Sequence, residues 1–318
     1  MKTVFVTGAE GFAGRHLVNL LTKQNIEVVG GVRNRARKLA FEKQYGKALV
    51  CDVSDAINVA RCIASVKPDG VVHLASTSQT EFAADEPLNA YQSIVTAWAN
   101  VLDAVRRVVP RSRVLLVSAC DVYGNAGSNG QPINESTPAQ PVSTFGSLKA
   151  AAEQIAQTFF RNYHLNMSIA RPFYFTGSGQ GESSLLTTIA RRISTWNSST
   201  DGGSFRVPDL DGRRDLMHVS DVVEAFFKLL CDGKPNETYN VCSGNTWTMR
   251  QFCDALATRC GKQITFDGFQ SEGDGRIDCL CGDTGRITGQ LGWRPTRTYE
   301  QGLSDLVGGL TTAPALAS

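Results

Sequence analysis

TVFVTGAEGFAGRHLVNLLTK, residues 3–23, carries the strongest structural signal in this chain. Its first five residues are apolar or β-branched, which predicts a buried strand. Residues 12–23 repeat apolar side chains at the spacing of one helix face, which predicts a helix. Gly8, Gly11 and Gly14 lie between the two, three residues apart. A strand, a glycine-rich turn and a helix in this order predict the first unit of a parallel α/β sheet.

The three glycines also indicate a dinucleotide site. A Cβ at these positions would block the tight turn, the approach of backbone to a pyrophosphate and the packing of helix on strand. The N-terminus of the following helix favours phosphate charge. We therefore predict that Gly8, Gly11, Phe12, Ala13 and Gly14 line a cofactor site, with an ordinary tight turn as the weaker alternative.

The first half of the chain alternates apolar strand runs with amphipathic, helix-length segments. Further strands are predicted at residues 26–32, 48–51, 70–74, 113–117 and 166–170, and helices at residues 55–66, 87–108 and 144–163. This order predicts an α/β fold, a Rossmann doubly wound parallel sheet covered on both faces. The last two helices are apolar on one face, which is either core in a monomer or an intersubunit bundle in a homodimer.

After residue 171 the pattern loosens into loops rich in Gly and Ser. Helices are predicted at residues 183–195, 221–230 and 249–260, and a strand at residues 238–241. These elements predict a smaller C-terminal α/β substrate lobe. The predicted division is a Rossmann domain of residues 1–171 to which residues 204–235 return, a substrate lobe of residues 172–203 and 236–308, and a flexible tail of residues 309–318.

Composition limits the class of partner. The 318 residues include 32 basic and 30 acidic ones, for a formal net charge of +2. Scattered charges argue against nucleic acid, and no apolar run approaches the roughly 20 residues that span a membrane. Because nine cysteines are scattered and no signal peptide is recognised, we expect reduced thiols in a cytoplasmic protein. We expect no metal site, since Cys279-x-Cys281 lacks a second Cys/His pair.

The end of the second predicted strand bears on the choice of coenzyme. NAD sites usually place an acid there to bind the ribose hydroxyls, yet no acidic residue lies between residues 27 and 42. Arg33 would pair with a 2′-phosphate, so NADP(H) is favoured and NAD(H) is the alternative. A solvated basic helix start is the structural alternative for Arg33 and Asn34. Asp52 and Val53, past the next strand, are predicted to meet adenine.

Several motifs are spread along nearly the whole chain: the glycine turn, Asp52-Val53, HLAS at residues 73–76, SACDVYG at 118–124, STFGSLK at 143–149, RPF at 171–173, RRDLMHVSDVV at 213–223 and YNVCSG at 239–244. With them the sequence resembles the extended short-chain dehydrogenase/reductase family. Its second half is similar to GDP-4-keto-6-deoxymannose reductases, relatives of the sugar-nucleotide epimerases and 4,6-dehydratases. The resemblance implies an NDP-hexose substrate whose sugar lies over the nicotinamide.

The resemblance also implies roles for single residues. Family members use Tyr-x-x-x-Lys, in which the lysine binds the nicotinamide ribose and the phenol exchanges a proton with the sugar oxygen. Lys149 is present, but the tyrosine position is Phe145 and the position of a helping hydroxyl is Ala119. Loss of a general acid/base commonly costs about 10²- to 10⁴-fold in rate. The other implied cofactor positions are Leu74, Ala75, Ser76, Ser118, Pro172 and Phe173, and the implied substrate positions are Ala119, Tyr174, Arg214 and Arg276.

Three explanations of Phe145 and Ala119 stay open. The chain is an engineered variant that traps substrate, a natural enzyme whose proton chemistry moved to Cys120, Asp121 or Tyr123, or a binding protein that has lost catalysis. In the dehydratases, the positions of Cys120 and Asp121 carry the acid and the base of elimination. A turn-forming Asp121 and a small buried Cys120 are the structural alternatives.

One activity and two alternatives follow from the sequence. The predicted activity is NAD(P)-dependent hydride transfer at C4 of an NDP-4-keto-6-deoxyhexose, with a GDP-linked sugar favoured. The first alternative is an epimerase or dehydratase that recycles a bound NAD. The second is a sugar-nucleotide binding protein without catalysis.

Overall fold

The computed structural model describes residues 1–76, 80–181, 184–197, 204–269 and 277–312. Its strands are β1 Thr3–Thr7, β2 Glu27–Val32, β3 Ala48–Val50, β4 Gly70–His73, β5 Arg113–Val117, β6 Met167–Pro172, β7 Tyr174–Thr176, β8 Ser204–Pro208, β9 Arg213–His218, β10 Thr238–Val241, β11 Thr246–Thr248, β12 Thr265–Phe269 and β13 Cys279–Leu280. Its α-helices are α1 Phe12–Lys23, α2 Arg35–Gln44, α3 Ala56–Val66, α4 Thr80–Asp85, α5 Pro87–Tyr91, α6 Ala97–Val108, α7 Thr144–Tyr163, α8 Leu185–Thr195, α9 Val219–Asp232, α10 Met249–Arg259, α11 Gly285–Leu291 and α12 Tyr299–Thr312. A π-turn, Gln92–Thr96, joins α5 to α6, and a 3₁₀ turn, Cys120–Tyr123, follows β5.

A parallel sheet of seven described strands forms the centre of the molecule, in the order β10-β6-β5-β4-β1-β2-β3. The chain starts at β1, winds outward through β2 and β3, and then crosses to β4 on the other side. The predicted doubly wound α/β fold is therefore confirmed. The crossover aligns Thr7 at the end of β1 with His73 at the end of β4. Open parallel sheets bind ligands at such a switch point.

Elements with strong local signals have nearly the predicted bounds. β1, α1, β5, α7 and β10 match them at both ends. Side-chain caps explain some of these starts: Asp55 accepts from the N–H groups of Ile57 and Asn58 ahead of α3, at 2.8 and 3.1 Å, and Ser143 accepts from the N–H of Gly146 in the first turn of α7. Such caps satisfy amides that have no partner within the helix.

The segment 87–108 is not the single α-helix that its apolar pattern predicts. The π-turn Gln92–Thr96 separates α5 from α6. An extra residue in a π-turn shifts the phase of the helix that follows it. With this phase, α6 buries Trp98 and Val101 completely against the sheet.

Helices cover both faces of the main sheet. α1 and α9 pack on the face that carries Val4 and Val6, and α3, α6 and α7 pack on the face that carries Phe5 and Val71. Side chains that alternate along a strand produce these two hydrophobic layers. Across the described residues, no helix is both long and apolar enough to cross a membrane.

The second half of the chain adds two smaller sheets. β9 pairs with β7, β11 and β13, and β8 pairs with β12. α8, α10 and α12 pack with these strands around a hydrophobic cluster that includes Phe205, Phe252 and Leu303. These strands escaped prediction because they are two to six residues long and lie among glycine-rich loops.

The observed sheets correct the predicted division of the chain at three places. β8 and β9 belong to the smaller sheets, so the return to the Rossmann domain begins at α9, which packs on α1, and not at residue 204. β10 lies in the predicted substrate lobe, residues 236–308, but it forms an edge of the main sheet because it pairs with β6. α12 runs to Thr312 and so occupies the first part of the predicted tail, 309–318. Residues 313–318 lie outside the described residues.

Candidate active site

The loop between β1 and α1 forms a cradle of backbone amides. Gly8 has a φ of +68°, in the left-handed region that favours glycine. A Cβ on Gly8 would lie 2.8 Å from the backbone nitrogen of Ala75, and one on Gly14 would lie 2.7 Å from the carbonyl oxygen of Ala9. No side chain caps α1 after Gly11. The amides of its first turn are therefore open to an anion.

Phe12 and Ala13, the other two predicted cradle residues, begin α1. The ring of Phe12 stacks on that of Phe175, with centroids 5.6 Å apart. The structure thus places all five predicted residues in the loop after β1 and the first turn of α1. Open amides at a helix N-terminus, with glycine in place of side chains, fit the diphosphate of a dinucleotide. Binding of NAD(P) by these residues stays a prediction.

A carboxylate that sequence reasoning missed lies at the carboxyl end of β2. Oε1 of Glu10, from the cradle loop, accepts from the backbone N–H of Arg33 at 3.1 Å. Its Oε2 is buried and has no hydrogen-bond partner among the described residues. Asn34 caps α2, since its Oδ1 accepts from the N–H of Arg37 at 2.9 Å. Arg33 and Asn34 directly follow β2, but the carboxylate of Glu10 lies beside the backbone of Arg33.

Asp52 and Val53 lie at the carboxyl end of β3, toward the predicted adenine side. The carboxylate of Asp52 accepts from the N–H and the hydroxyl of Ser54, at 3.0 and 2.6 Å. The carbonyl of Val53 accepts from the side-chain amide of Asn100 at 2.9 Å. This turn is therefore held in shape on both sides, and its exposed Asp52 remains in reach of a ligand.

Leu74, Ala75 and Ser76 follow β4 at the switch point of the sheet. The N–H of Leu74 donates to the carbonyl of Thr7 at 3.2 Å, and the N–H of Ala75 donates to Oγ1 of Thr7 at 3.3 Å. These bonds hold the segment after β4 against the cradle. The backbone of Ala75 lies so close to Gly8 that a Cβ on Gly8 would not fit. The predicted residues of β1 and β4 thus meet at one edge of the sheet.

α7 presents Lys149 to the carboxyl end of β5. Its Nζ is buried and donates to the carbonyl oxygen of Val117 at 2.9 Å. The centre of the Phe145 ring, one helical turn earlier, lies 5.5 Å from this Nζ. Burial lowers the pKa of Lys149 to about 8, although the charges of Glu153 and Asp121 oppose this change. Phe145 therefore adjoins a buried cation but has no proton to give.

Cys120 and Asp121 lie in the 3₁₀ turn after β5, preceded by Ala119, which offers no hydroxyl. Sγ of Cys120 donates to Oδ2 of Asp121 at 3.8 Å. Burial raises the pKa of Asp121, and the positive charges of Arg214 and Lys149 oppose this only in part. Burial also raises the pKa of the Cys120 thiol well above its ordinary value. Asp121 is therefore able to hold a proton, whereas Cys120 stays a neutral thiol.

Tyr123 lies in a buried network and does not face this cluster. Its hydroxyl donates to Oδ1 of Asn240 at 2.7 Å and accepts from Nη1 of Arg171 at 2.8 Å. Arg171 also forms a two-pronged ion pair with Glu153, at 3.0 and 2.6 Å. Burial raises the pKa of Tyr123 to about 12. With its hydroxyl engaged on both sides, Tyr123 joins β6, α7 and β10, which is a structural position.

Arg214, one of the implied substrate positions, lies on β9. Its Nη1 donates to the carbonyl of Ile277 at 2.9 Å, and its guanidinium lies 5.9 Å from the centre of the Tyr174 ring. Burial raises the pKa of Tyr174 well above its ordinary value, and the charge of Asp121 adds to this. The structure therefore brings Arg214, Tyr174 and Asp121 into one polar cluster.

The remaining predicted positions differ in what they offer a ligand. Ser118, directly after β5, has a buried Oγ without a hydrogen-bond partner among the described residues. Pro172 ends β6. The ring of Phe173 is fully buried, 6.3 Å from that of Tyr123, and so it serves packing. Arg276 lies outside the described residues.

A buried carboxylate that holds the Arg214 strand also escaped prediction. Oδ1 of Asp215 accepts from the N–H and the hydroxyl of Ser243 at 2.8 and 2.6 Å, and Oδ2 accepts from the N–H of Gly244 at 2.8 Å. Burial raises the pKa of Asp215 to about 6. The sequence contains it within a motif, but its partners lie about 30 residues away and have no local signal.

Known proteins are similar to this chain over nearly its whole length. The family model described as GDP-mannose 4,6 dehydratase matches residues 5–306. The GDP-6-deoxy-D-mannose reductase of Pseudomonas aeruginosa is 27% identical over 95% of this chain and 95% of its own length.

Similar solved structures cover nearly the whole chain. RMD from Pseudomonas aeruginosa, complexed with NADPH, has a TM-score of 0.82 at 25% identity, over 97% of this chain and 98% of that one. UDP-glucose 4-epimerase of Thermus thermophilus, in complex with NAD, has a TM-score of 0.87 at 23% identity, over 98% of this chain and 100% of that one. The second of these shows the shared fold alone.

Proposed function

Because this chain belongs to the GDP-mannose 4,6-dehydratase family, we propose that it is an NAD(P)-dependent enzyme that modifies a nucleotide sugar. The membership bears out the resemblance to the nucleotide-sugar group of the extended short-chain dehydrogenase/reductases. The specific reaction that we propose is reduction of the 4-keto group of an NDP-4-keto-6-deoxyhexose, with a GDP-linked sugar favoured. A relative of closely matching length bears the name of such a reductase.

One observation carries this proposal. The glycine cradle, Lys149 and Asp121 lie at the carboxyl ends of β1 and β5, strands of the same parallel sheet, and thus at one edge of it. The cradle would hold the coenzyme diphosphate, and Lys149 would hold the nicotinamide ribose, as in the family that the sequence resembles. When bound, the reduced coenzyme supplies hydride to the carbonyl carbon of the sugar.

Asp121 is the residue that we propose as the proton donor. Reduction of a ketone needs one proton on the carbonyl oxygen, and Phe145 has none. Asp121 is half-buried, and this burial raises its pKa, so it holds a proton to a higher pH than an exposed aspartate does. In the proposed step its O–H bond breaks as the O–H bond of the sugar alcohol forms, and Arg214 and Lys149 stabilise the carboxylate left behind.

The state of Cys120 favours a reductase over a dehydratase. Elimination of water needs an acid for the leaving hydroxyl and a base for the carbon-bound proton. Cys120 stands at one of these two positions, and burial raises the pKa of its thiol well above the ordinary value. Such a thiol is a weak proton donor, and it offers no thiolate to act as a base. A single proton donor, Asp121, suffices for the reduction of a ketone.

Coenzyme preference is proposed as NADP(H), with NAD(H) as the alternative. Arg33 is exposed at the end of β2 and would pair with a 2′-phosphate. The carboxylate of Glu10 beside it would repel the same phosphate and thus reduces this preference. A similar solved structure at 25% identity holds NADPH.

We also propose that the chain forms a homodimer. Leu88 and Tyr91 on α5 are 79% and 49% exposed, and Tyr163 on α7 is exposed as well. These are apolar side chains on the two segments that the sequence assigns to either core or interface. Light scattering of the purified protein tests this: a dimeric mass supports it, and a monomeric mass contradicts it.

The test of the activity compares four proteins on GDP-, dTDP- and UDP-linked 4-keto-6-deoxy sugars with NADPH and NADH. If Asp121 donates the proton, the unaltered chain turns over and Asp121→Asn loses about 10²- to 10⁴-fold in kcat. Asp232→Asn, an exposed aspartate at the end of α9, is the matched control and keeps full activity. Activity that appears only in Phe145→Tyr would reject Asp121 and identify a chain inactivated at position 145.

Two further outcomes separate the alternatives. An epimerase or dehydratase that recycles NAD keeps its coenzyme through purification, so fresh protein would absorb in the nicotinamide band and release NAD in mass spectrometry. A reductase must exchange its coenzyme at each turnover and is expected to lose it. Saturable sugar-nucleotide binding without turnover, in both the unaltered chain and Phe145→Tyr, would identify a binding protein.

A further inference from the structure

The side chain of Arg214 is held by the backbone around it. Its Nη1 donates to the carbonyl oxygen of Ile277 at 2.9 Å and to that of Arg213 at 3.1 Å. A Cβ on Gly212 would lie 3.0 Å from the same nitrogen, so a larger residue there would crowd the guanidinium. The direction of the Arg214 side chain therefore depends on where Ile277 lies.

The segment of residues 277–282 runs past Arg214 through β13. β13 pairs in parallel with β9, and Leu280 lies opposite Arg214 in that pairing. Along the other edge of the segment, the N–H of Ile133 donates to the carbonyl oxygen of Cys281 at 2.8 Å. The segment is therefore bonded along both edges, and these bonds determine the position of Ile277.

The carboxylate of Asp215 bonds the far end of this segment. Asp215 follows Arg214 on β9, so its side chain points to the opposite face of the strand, and it is 0% exposed. Its Oδ2 accepts from the N–H of Gly282 at 3.3 Å and from the N–H of Gly244 at 2.8 Å. Its Oδ1 accepts from the N–H and the hydroxyl of Ser243 at 2.8 and 2.6 Å. One side chain thus connects β9 with the loops that follow β10 and β13.

These bonds require a carboxylate at position 215. Burial raises the pKa of Asp215 to about 6, and the donors from Ser243, Gly244 and Gly282 oppose this change. The group is therefore largely ionised at neutral pH, and a buried carboxylate is costly unless it is hydrogen-bonded. An asparagine would accept through one oxygen only, and its amide nitrogen would face N–H groups. The ionised side chain is thus what fixes Gly282 against β9.

We infer that Asp215 is a positioning residue for the diphosphate of a nucleotide, on which it acts through Arg214. It fixes the segment 277–282 against β9, and Ile277 in this segment holds the guanidinium. A guanidinium has five N–H donors and binds phosphate through two of them, so the bonds to two carbonyl oxygens leave donors for the ligand. Asp215 itself is fully buried and is not expected to contact the ligand.

This inference rests on the proposed function, because a sugar nucleotide supplies the diphosphate. Binding alone tests it, with GDP, dTDP and UDP as the probes, so the result does not depend on turnover. A chain that binds one of these nucleotides but turns over no 4-keto sugar contradicts only the proposed reaction. A chain that binds none of them refutes the inference.

Calorimetry of the unaltered chain and its variants measures the role of Asp215, with the nucleotide that the unaltered chain binds most tightly. In Asp215→Asn the dissociation constant of this nucleotide is expected to rise about tenfold or more, because an amide cannot accept from all the donors. Ser243→Ala removes the hydroxyl bond alone and is expected to raise it about threefold. The dissociation constant of NADPH is expected to stay within about twofold, since the glycine cradle lies on the main sheet.

Asp211→Asn is the matched control. Asp211 lies in the turn before β9, and its side chain is 82% exposed. This variant is expected to bind the nucleotide as the unaltered chain does. An unchanged affinity in Asp215→Asn as well would overturn the inference. If circular dichroism shows that Asp215→Asn does not fold, Ser243→Ala decides, and an unchanged affinity in that variant would overturn it.

A double-mutant cycle shows whether Asp215 acts through Arg214. Arg214→Met keeps a long apolar side chain but removes the guanidinium. In this background, Asp215→Asn is expected to weaken nucleotide binding by about twofold at most, because the group that it positions is gone. A carboxylate that only stabilises the fold would weaken binding whatever residue stands at position 214. The full loss of about tenfold in the Arg214→Met background would therefore refute the inference.

Discussion

The Tyr123→Phe substitution distinguishes a structural hydroxyl from a catalytic one. It removes the hydrogen bonds of 2.7 Å to Asn240 and 2.8 Å from Arg171 and leaves the ion pair of Arg171 with Glu153. A neutral hydrogen bond contributes about 0.5–1.5 kcal/mol and one from a charged donor about 1.5–3 kcal/mol. We therefore expect the free energy of unfolding to fall by about 2–4.5 kcal/mol.

Urea denaturation followed by circular dichroism measures this loss. The midpoint is expected to fall while the slope with urea concentration stays the same, since the surface exposed on unfolding hardly changes. Tyr163→Phe, at an exposed tyrosine near the end of α7, is the control and is expected to stay within about 0.5 kcal/mol of the parent. The turnover number of folded Tyr123→Phe is expected to match the parent.

The opposite pattern would refute this reasoning. If Tyr123→Phe were as stable as the parent but about 100-fold slower or worse in kcat, its hydroxyl would act on the substrate. Tyr123 would then have to leave the network in the catalytic state. Its bonds to Asn240 and Arg171 would not be a stable part of the fold.

Three further predictions concern residues of the candidate coenzyme site: Gly14, Glu10 and Lys149. In Gly14→Ala the new Cβ would lie 2.7 Å from a carbonyl oxygen of the cradle loop. Calorimetry is therefore expected to show roughly tenfold weaker NADPH binding or worse. Gly289→Ala is the control: a Cβ at Gly289 would meet open space, so this variant is expected to bind NADPH as the parent does. Glu10→Gln removes the carboxylate beside Arg33 and is expected to raise affinity for NADPH over NADH by roughly threefold to tenfold; an equal change for both coenzymes would contradict this role. Because the pKa of Lys149 is about 8 in the folded chain and 10.5 ordinarily, the unfolded chain binds more protons between these values, and the free energy of unfolding should rise with pH across that window. Urea denaturation should show this rise in the parent and not in Lys149→Met, and a rise of equal size in both would assign it to other groups.

The Rossmann half was predictable because its signals are local. β1, α1, β5 and α7 are each defined by the spacing of apolar side chains and by residues at their own ends. β8 and β12 carry no such signal, because each is stabilised by pairing with a strand about 60 residues away along the chain. The π-turn Gln92–Thr96 escaped prediction for another reason, since its apolar side chains satisfy the pattern of an ordinary helix.

The candidate site likewise contains residues that were predictable from the sequence and residues that were not. Gly8 was predicted from the glycine spacing after a strand, whereas Ala75 and Asp121 were predicted from the family resemblance. All three lie past the carboxyl ends of parallel strands, which meet at one edge of the sheet. The network around Tyr123 escaped prediction because Arg171, which donates to its hydroxyl, lies 48 residues further along the chain. Glu10 escaped notice because it approaches the end of β2 from another loop.

The π-turn Gln92–Thr96 determines how α6 is rotated relative to α5, so the number of residues in this segment affects the position of Trp98 in the candidate site. Successive residues of an α-helix are rotated by about 100° about its axis. Deletion of one residue from this turn would rotate α6 by about that angle relative to α5 and swing Trp98 away from the amino group of Lys149. Among descendants of this gene, selection would therefore preserve the number of residues between Pro87 and Trp98 more strictly than their identities.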